Sequence, residues 1–352
     1  MMYFMKRTGL TILILFISVI IISYLVGSCK KHEIIHTTTS LQQKIPAGFP
    51  APVYTFQDNP LTEEGFELGR KLFYDGRLSR DTGFPCSSCH QQVAIFGTYE
   101  HDRSHGYNFS HTLRNAPPLF NLAWQKEFHW DGKFKSLYLE AAQPIETHNE
   151  MAENFFTIIF RLGTDTQYQR MFKATFGNSV ITEDRILKAL EQFTGYITSS
   201  DSKYDRIKRG EDSFTVSEEN GYQLYQTKCA TCHPEPMFTD YSYRNNGLPV
   251  NTELNDYGRM RITRRSEDSI KFKVPSLRNV NLTENYMHDG RFNTLMQVLN
   301  HYSDGIQNGS TLDPLLVNKI PLTATEKSDL FSFLKTLSDS TILHNPRFSK
   351  PQ

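Results

Sequence analysis

Two five-residue stretches carry the most specific chemistry in this chain, Cys86-Ser87-Ser88-Cys89-His90 and Cys229-Ala230-Thr231-Cys232-His233. Each reads C-x-x-C-H. Two thiols at this spacing each add across a vinyl group of one haem, and the adjoining imidazole turns back to bind the iron. A bare C-x-x-C is shared with redox dithiols and zinc knuckles. The zinc reading wants its two pairs roughly 15 to 20 residues apart, whereas here the second pair begins only at Cys229, and a histidine follows both times. The pattern predicts two covalently bound haem c groups. Cys86 and Cys89 would hold one with His90 as proximal iron ligand, and Cys229 and Cys232 the other with His233. Two unrelated thiol pairs are the plain alternative.

Of five cysteines, four belong to these motifs, and the fifth, Cys29, closes an N-terminal leader. That leader has Lys6 and Arg7, an apolar stretch from Leu10 to Val26, then Gly27-Ser28-Cys29, the form of a secretion signal. Val26 to Cys29 resembles a bacterial lipobox, so residues 1–28 are expected to be a lipoprotein signal peptide. The mature chain would begin at a lipidated Cys29, held to a membrane by acyl chains. A transmembrane anchor is the rival reading, because the apolar run is almost long enough to span. Either way the globular part is expected outside the cytoplasm, in the periplasm, where c-type haems are attached. With 38 basic and 38 acidic residues the chain has no global field pointing to nucleic acid or an anionic surface. Its length suits two domains. A hydrophobic content of 38% is modest for that size, and haem macrocycles would supplement the apolar core.

The elements that must position the motifs are helices. Residues 29–60 hold Lys30-Lys31, a Thr37-Thr38-Thr39-Ser40 run and several prolines without sustained periodicity, and read as a tether and an extended lead-in. Thr62-Glu63-Glu64 then gives a helix N-cap with acids in the first turn, and Phe66, Gly69, Leu72 and Phe73 give one buried face. This helix leads to the first motif. Ser217-Glu218-Glu219 opens a second one, with Tyr222 and Tyr225 on its face, that runs into the second motif. Helix followed by C-x-x-C-H, twice, predicts an all-α fold of two tandem cytochrome c-like domains, residues 61–205 and 206–345. Helical patterns fill 152–162, 165–176 and 182–199, the last capped by Thr182. The polar stretch 240–269 reads as loops. Thr323 and Glu326 form a capping box for a final helix reaching Leu337.

The segments around the motifs are more specific. Leu68-Gly69-Arg70-Lys71-Leu72-Phe73-Tyr74-Asp75-Gly76-Arg77-Leu78-Ser79, Arg114-Asn115-Ala116-Pro117-Pro118-Leu119-Phe120-Asn121, Trp130-Asp131-Gly132, Pro144-Ile145 and Glu150-Met151 resemble the bacterial dihaem cytochrome c peroxidase family. Phe272-Lys273-Val274-Pro275-Ser276-Leu277-Arg278-Asn279-Val280 and Tyr286-Met287-His288-Asp289-Gly290-Arg291 resemble it in the second half. The resemblance runs in unbroken order over about residues 45 to 340, and the family also contains MauG, the methylamine-utilisation enzyme.

The resemblance implies that the haem on His90 is the peroxidatic one and that the haem on His233 collects electrons. Trp130 matches the tryptophan between the haems, where an indole shortens the electron-tunnelling gap; plain aromatic packing is the alternative. Glu150 matches the distal-pocket glutamate. Peroxide needs a group that takes a proton from one oxygen and returns it to the other, and a partly desolvated carboxylate suits that shuttle. Pro144 would form part of the same pocket wall. A calcium ion is implied at Asn115, Thr283 and Asn285, through one amide side chain, two backbone carbonyls and waters. Oxygen-only ligation suits that hard cation.

Three positions depart from the family pattern. The pocket glutamine of many members falls at Glu140, so this site could hold two carboxylates; if both faced the iron they should share a proton and push their pKa values apart. The loop histidine that many of the peroxidases place on the peroxidatic iron is best matched by His105, with His101 and His111 nearby and a solvated loop histidine as the alternative. The methionine that binds the electron-transfer haem in the peroxidases falls at Tyr302, where MauG has tyrosine. Met296 and His301 lie close by but off the matching position. Methionine ligation raises a haem potential, and an anionic phenolate should lower it.

The leading expectation is a membrane-tethered periplasmic cytochrome c peroxidase. It would reduce hydrogen peroxide to water with electrons from a small cytochrome c or cupredoxin. A MauG-like enzyme that uses peroxide to oxidise a protein or organic partner is the second expectation, favoured by Tyr302. A pure electron-carrier cytochrome is the third; Glu150 and the Trp130-Asp131-Gly132 segment argue against it, since a carrier needs no proton shuttle. Relatives often dimerise, but no isolated surface stripe in the sequence establishes a homodimer here.

Overall fold

The computed structural model describes residues 36–352. The expected signal peptide, the expected lipidation site at Cys29 and the start of the expected tether lie outside the described residues. The helices in chain order are α1 (Glu63–Phe73), α2 (Cys86–Cys89), α3 (Leu137–Glu140), α4 (Ala142–Glu146), α5 (Phe155–Gly163) and α6 (Thr166–Phe176). They continue with α7 (Glu183–Tyr196), α8 (Lys203–Lys208), α9 (Val216–Lys228), α10 (Met260–Thr263), α11 (Leu295–Asn300) and α12 (Ala324–Thr336). Among the described residues no helix is long and apolar enough to cross a membrane.

Local chemistry explains where the long helices begin. The Thr62 side chain accepts from the Gly65 N–H at 3.0 Å to start α1, and Thr182 caps α7 in the same way. At α9 the cap is Thr215 rather than the region of Ser217. Thr215 and Glu218 form a reciprocal capping box, satisfying two N–H groups that would otherwise lack partners. Ser217 lies inside the helix, where its hydroxyl meets Asp329 of α12 at 2.5 Å. The capping box expected at Thr323 and Glu326 is present.

The two halves repeat one packing device. In the first, α1 crosses α7 so closely that a Cβ on Gly69 would lie 1.9 Å from the Ala189 carbonyl oxygen. In the second, α9 crosses α12, and a Cβ on Gly221 would lie 2.0 Å from the carbonyl oxygen of Asp329. Only glycine permits such approaches. Each motif thus follows a helix locked against the last long helix of its half. Phe66, Leu72, Phe73, Phe96 and Phe193 anchor one core, and Tyr204, Tyr225, Phe238 and Phe333 another. The fold is mostly helical, and among the described residues one short strand in the stretch read as loops pairs with a second strand just after that stretch. Tyr243–Arg244 (β1) pairs antiparallel with Phe272–Lys273 (β2), Tyr243 opposite Lys273. The lead-in is also packed, with Phe56 and Leu61 buried beside Trp124.

Several residues of the sequence motifs hold the halves together. Asn121 and the Ser199 backbone exchange hydrogen bonds of 3.0 and 2.9 Å, and Asn279 donates to the Ser199 hydroxyl at 2.9 Å. Arg114 pairs with Asp131 at 2.7 Å and with Asp256 at 2.6 Å, which fixes the Trp130-Asp131-Gly132 loop to the segment after the second motif.

Candidate haem sites

The four motif cysteines are free of disulfides. The two histidines are held identically. His90 Nδ1 donates to the Phe96 carbonyl at 2.9 Å, and His233 Nδ1 donates to the Phe238 carbonyl at 3.0 Å. Both carbonyls come from residues with positive φ, +58° and +54°. This bond fixes the tautomer and orientation of each ring and leaves Nε2 for a metal, the usual arrangement around a ligating histidine. The sequence signal was the phenylalanine five or six residues after each motif histidine.

Cys86, Cys89 and His90 line a cavity of about 510 Å³, within the range of cofactor sites, about 300–1,000 Å³. The thiols, the His90 imidazole and this volume fit a covalent haem. His105, Trp130, Glu140, Pro144 and Glu150 line the same cavity, so the structure brings together the residues expected around the peroxidatic site. Pro144 accepts the Met151 N–H at 3.0 Å, and the Glu150 carbonyl accepts the Tyr107 N–H at 2.6 Å, which fixes the backbone on both sides of the Glu150 carboxyl.

The two carboxyl groups have different surroundings. Glu140 accepts from His129 Nε2 at 3.0 Å. Burial favours its neutral form but is outweighed by this contact and by the charges of His129, His90 and Lys273, so its pKa falls below the usual value. Burial pushes Glu150 up, and the neighbouring Glu140 adds to this while His129 and Lys133 oppose it. His105 packs edge-on against His101 and tilted against His111, with ring centroids 4.9 and 4.4 Å apart, and its buried Nδ1 has no hydrogen-bond partner.

A second cavity of about 160 Å³ adjoins the first and is lined by Asn115, Thr283 and Asn285, the residues implied for calcium. Asn115 donates through Nδ2 to the Asp102 carbonyl at 2.9 Å, and its own carbonyl accepts from Trp130 Nε1 at 2.9 Å. Trp130 borders both cavities. Among the described residues no three or more His, Cys, Asp or Glu side chains are grouped to hold a metal ion. Lys273 also lines this cavity. Its ammonium donates to Gln125 Oε1 at 2.9 Å and to the Glu127 carbonyl at 2.8 Å, and burial pulls its pKa down to about 8.

At the second motif, Tyr302 sits in a turn of π-helix, His301–Gly305, that continues α11. Burial raises its phenol to about 12, a hydrogen bond with Asn246 opposes that, and both Cys229 and Cys232 are electrostatic neighbours. Of the three positions, Tyr302 is the one whose phenol has both motif thiols among its electrostatic neighbours, while His301 Nε2 is engaged with the Asn246 carbonyl at 2.9 Å and Met296 is exposed. Sequence reasoning missed His129, which directly precedes the Trp130-Asp131-Gly132 segment, and Lys273, which lies within the segment 272–280 it had singled out.

The fold agrees with comparisons to known proteins. Residues 63–213 match the family model described as Di-haem cytochrome c peroxidase. The chain is 33% identical over 298 residues to the methylamine utilization protein MauG of Methylorubrum extorquens, covering 83% of this chain and 82% of that protein. It is 34% identical over 276 residues to cytochrome c551 peroxidase of Nitrosomonas europaea, covering 77% and 79%. A crystal structure of a MauG-like protein associated with microbial copper homeostasis superimposes with a TM-score of 0.82 at 34% identity, covering 89% of this chain and 99% of that one. The diheme peroxidase BthA of Burkholderia thailandensis shares the fold at a TM-score of 0.70. The chain belongs to the di-haem cytochrome c peroxidase family. That family implies two c-type haems, and the two C-x-x-C-H motifs supply the two attachment sites.

Proposed function

We propose that this protein is a periplasmic cytochrome c peroxidase, tethered through a lipid on Cys29, that reduces hydrogen peroxide at the site around His90. The observation that carries this reading is Glu150, a carboxyl in the His90 cavity whose proton affinity is raised by burial. A group that must both take and return a proton works best with its pKa near the working pH. The haem on Cys86, Cys89 and His90, when bound, supplies the electrons that cleave the peroxide O–O bond. Glu150 removes the proton from one peroxide oxygen and delivers it to the other, which leaves as water. Pro144 holds the Glu150 loop in register, and Trp130 fills the wall between the haem sites. Electrons would enter from a small cytochrome c or cupredoxin at the His233 site, where Tyr302 would be the residue to hold the second haem opposite His233 once it is bound. His105 would be the residue to cap the peroxidatic haem at rest, and Asn115, Thr283 and Asn285 would hold calcium.

The second reading, a MauG-like enzyme that directs peroxide oxidation onto a protein or organic partner, is favoured by Tyr302, a buried phenol with the motif thiols among its electrostatic neighbours. Mixing the fully oxidised holoprotein with one equivalent of peroxide separates the two. A peroxidase capped by His105 shows no fast spectral change until it has been reduced by one electron. An immediate change in the oxidised protein rejects that cap and supports the second reading.

A further inference from the structure

Reduction of one peroxide to two waters consumes two electrons and two protons. Glu150 ends each cycle as it began, because it returns the proton it takes, so the two net protons must enter from elsewhere. Of the residues that line both the His90 cavity and the adjoining one, only His129 and Glu140 have side chains that can bind and release a proton. They touch each other at 3.0 Å. His129 is held there with a positive φ of +66°, a costly backbone for a residue with a side chain.

We propose that His129 and Glu140 form a proton relay through the wall between the two cavities, supplying the protons that peroxide reduction consumes. The inference rests on the peroxidase reading of the Glu150 site. The outer cavity supplies the source, with exposed Glu284 on its rim and the Lys273 ammonium within it. Lys273, with its pKa lowered to about 8, releases a proton far more readily than an exposed lysine, and Glu140 is among the charges that face it. On the inner side the relay faces Glu150, with Lys133 and His90 as the other charged or titratable neighbours of the two carboxyls. In each transfer a proton moves from the outer cavity onto the Glu140 and His129 pair and then into the peroxide cavity, and the pair returns to its starting state. No electron passes through it.

The variants His129→Gln and Glu140→Gln test this, because each keeps a hydrogen bond between positions 129 and 140 while removing the ability to pass a proton. Steady-state peroxide reduction is measured in H2O and D2O, with haem content and ferric spectra checked, alongside Glu150→Gln. The relay predicts that both variants lose turnover on the order of 10²-fold, with an unchanged KM for peroxide and an increased solvent isotope effect. Reduction-induced infrared difference spectra of the wild type should contain a carboxylate band that vanishes in Glu140→Gln. Wild-type turnover and isotope effect in both relay variants, with Glu150→Gln inactive, overturn the relay and leave the peroxidase reading standing. Full activity in Glu150→Gln overturns that reading instead. If a variant fails to load haem, the other and the infrared band decide, and absence of that band rejects proton exchange at Glu140.

Discussion

Asp205→Asn should be among the most destabilising single substitutions in the second half, though Asp205 lines neither the His90 cavity nor the adjoining one. Arg278 is 1% exposed, and its guanidinium donates two parallel bonds to Asp205, of 2.9 and 2.8 Å, and a third to the Pro236 carbonyl at 2.7 Å. Asp205 also accepts from the Ser202 backbone at 2.9 Å and from its hydroxyl at 2.7 Å, closing the capping box of α8. Removing one partner of a buried pair leaves the other charge desolvated and costs about 3–5 kcal/mol, out of a total stability of about 5–15 kcal/mol. Denaturant unfolding of the holoprotein, followed by far-ultraviolet circular dichroism and by Soret absorbance, measures this. Replacing both partners, Asp205→Leu with Arg278→Met, should recover much of the loss, since an apolar pair carries no stranded charge. Burial raises the Asp205 pKa, but Arg278 and Ser202 outweigh it and the net shift is downward. The stability it confers is therefore full above 3.8 and is lost as pH falls from there through the lowered folded-state value. A cost below about 1 kcal/mol for Asp205→Asn, the level of an exposed pair, would refute the reasoning.

Peroxide turnover should fall on the acid side as Glu150 is protonated, with that limb above 4.5 because burial and Glu140 raise its pKa. Glu140→Gln should move the limb to lower pH, and an unmoved limb in its pH profile would uncouple the two groups. Tyr302→Met should raise the reduction potential of the C-terminal haem in a spectroelectrochemical titration; an unchanged potential and spectrum would remove Tyr302 from the iron. Truncation after Thr341 strips Ile342 and Phe348 from the first core, each worth about 1.5–3 kcal/mol, and removes the Ile342 and Asn345 carbonyls that hold Gln92 beside the first motif. The truncated protein should unfold at lower denaturant, and an unchanged midpoint would show the tail to be dispensable.

The features legible in the sequence were those whose cause is local. The haem attachment motifs are set by fixed spacing, and the caps at Thr62, Thr182 and Thr323 by side chains reaching their own first turn. The Thr215 cap was equally local, and the acidic Glu218-Glu219 pair drew attention two residues too far along. What periodicity could not show depends on residues far apart in sequence. The two-residue strands β1 and β2 are too short to alternate visibly. Ile342 and Phe348 return to a core whose other members end at Ile197. His129 gains meaning only when the chain folds Glu140 against it, and Tyr302 depends on a π-turn that no propensity pattern announces. Charged motif residues read alike in sequence, yet the structure assigns Arg114 and Asp131 to one ion pair, joins Arg278 to Asp205, which lies outside the motifs, and leaves Glu150 lining the cavity.

The most direct measurement is rapid mixing of hydrogen peroxide with haem-loaded protein reduced by one electron, comparing the wild type with Glu150→Gln at equal haem content. Proton shuttling by Glu150 predicts rapid peroxide consumption by the wild type and a loss of rate on the order of 10²-fold or more in the variant. Equal rates in the two proteins would contradict the assignment of Glu150, and with it the account of how this site reduces peroxide.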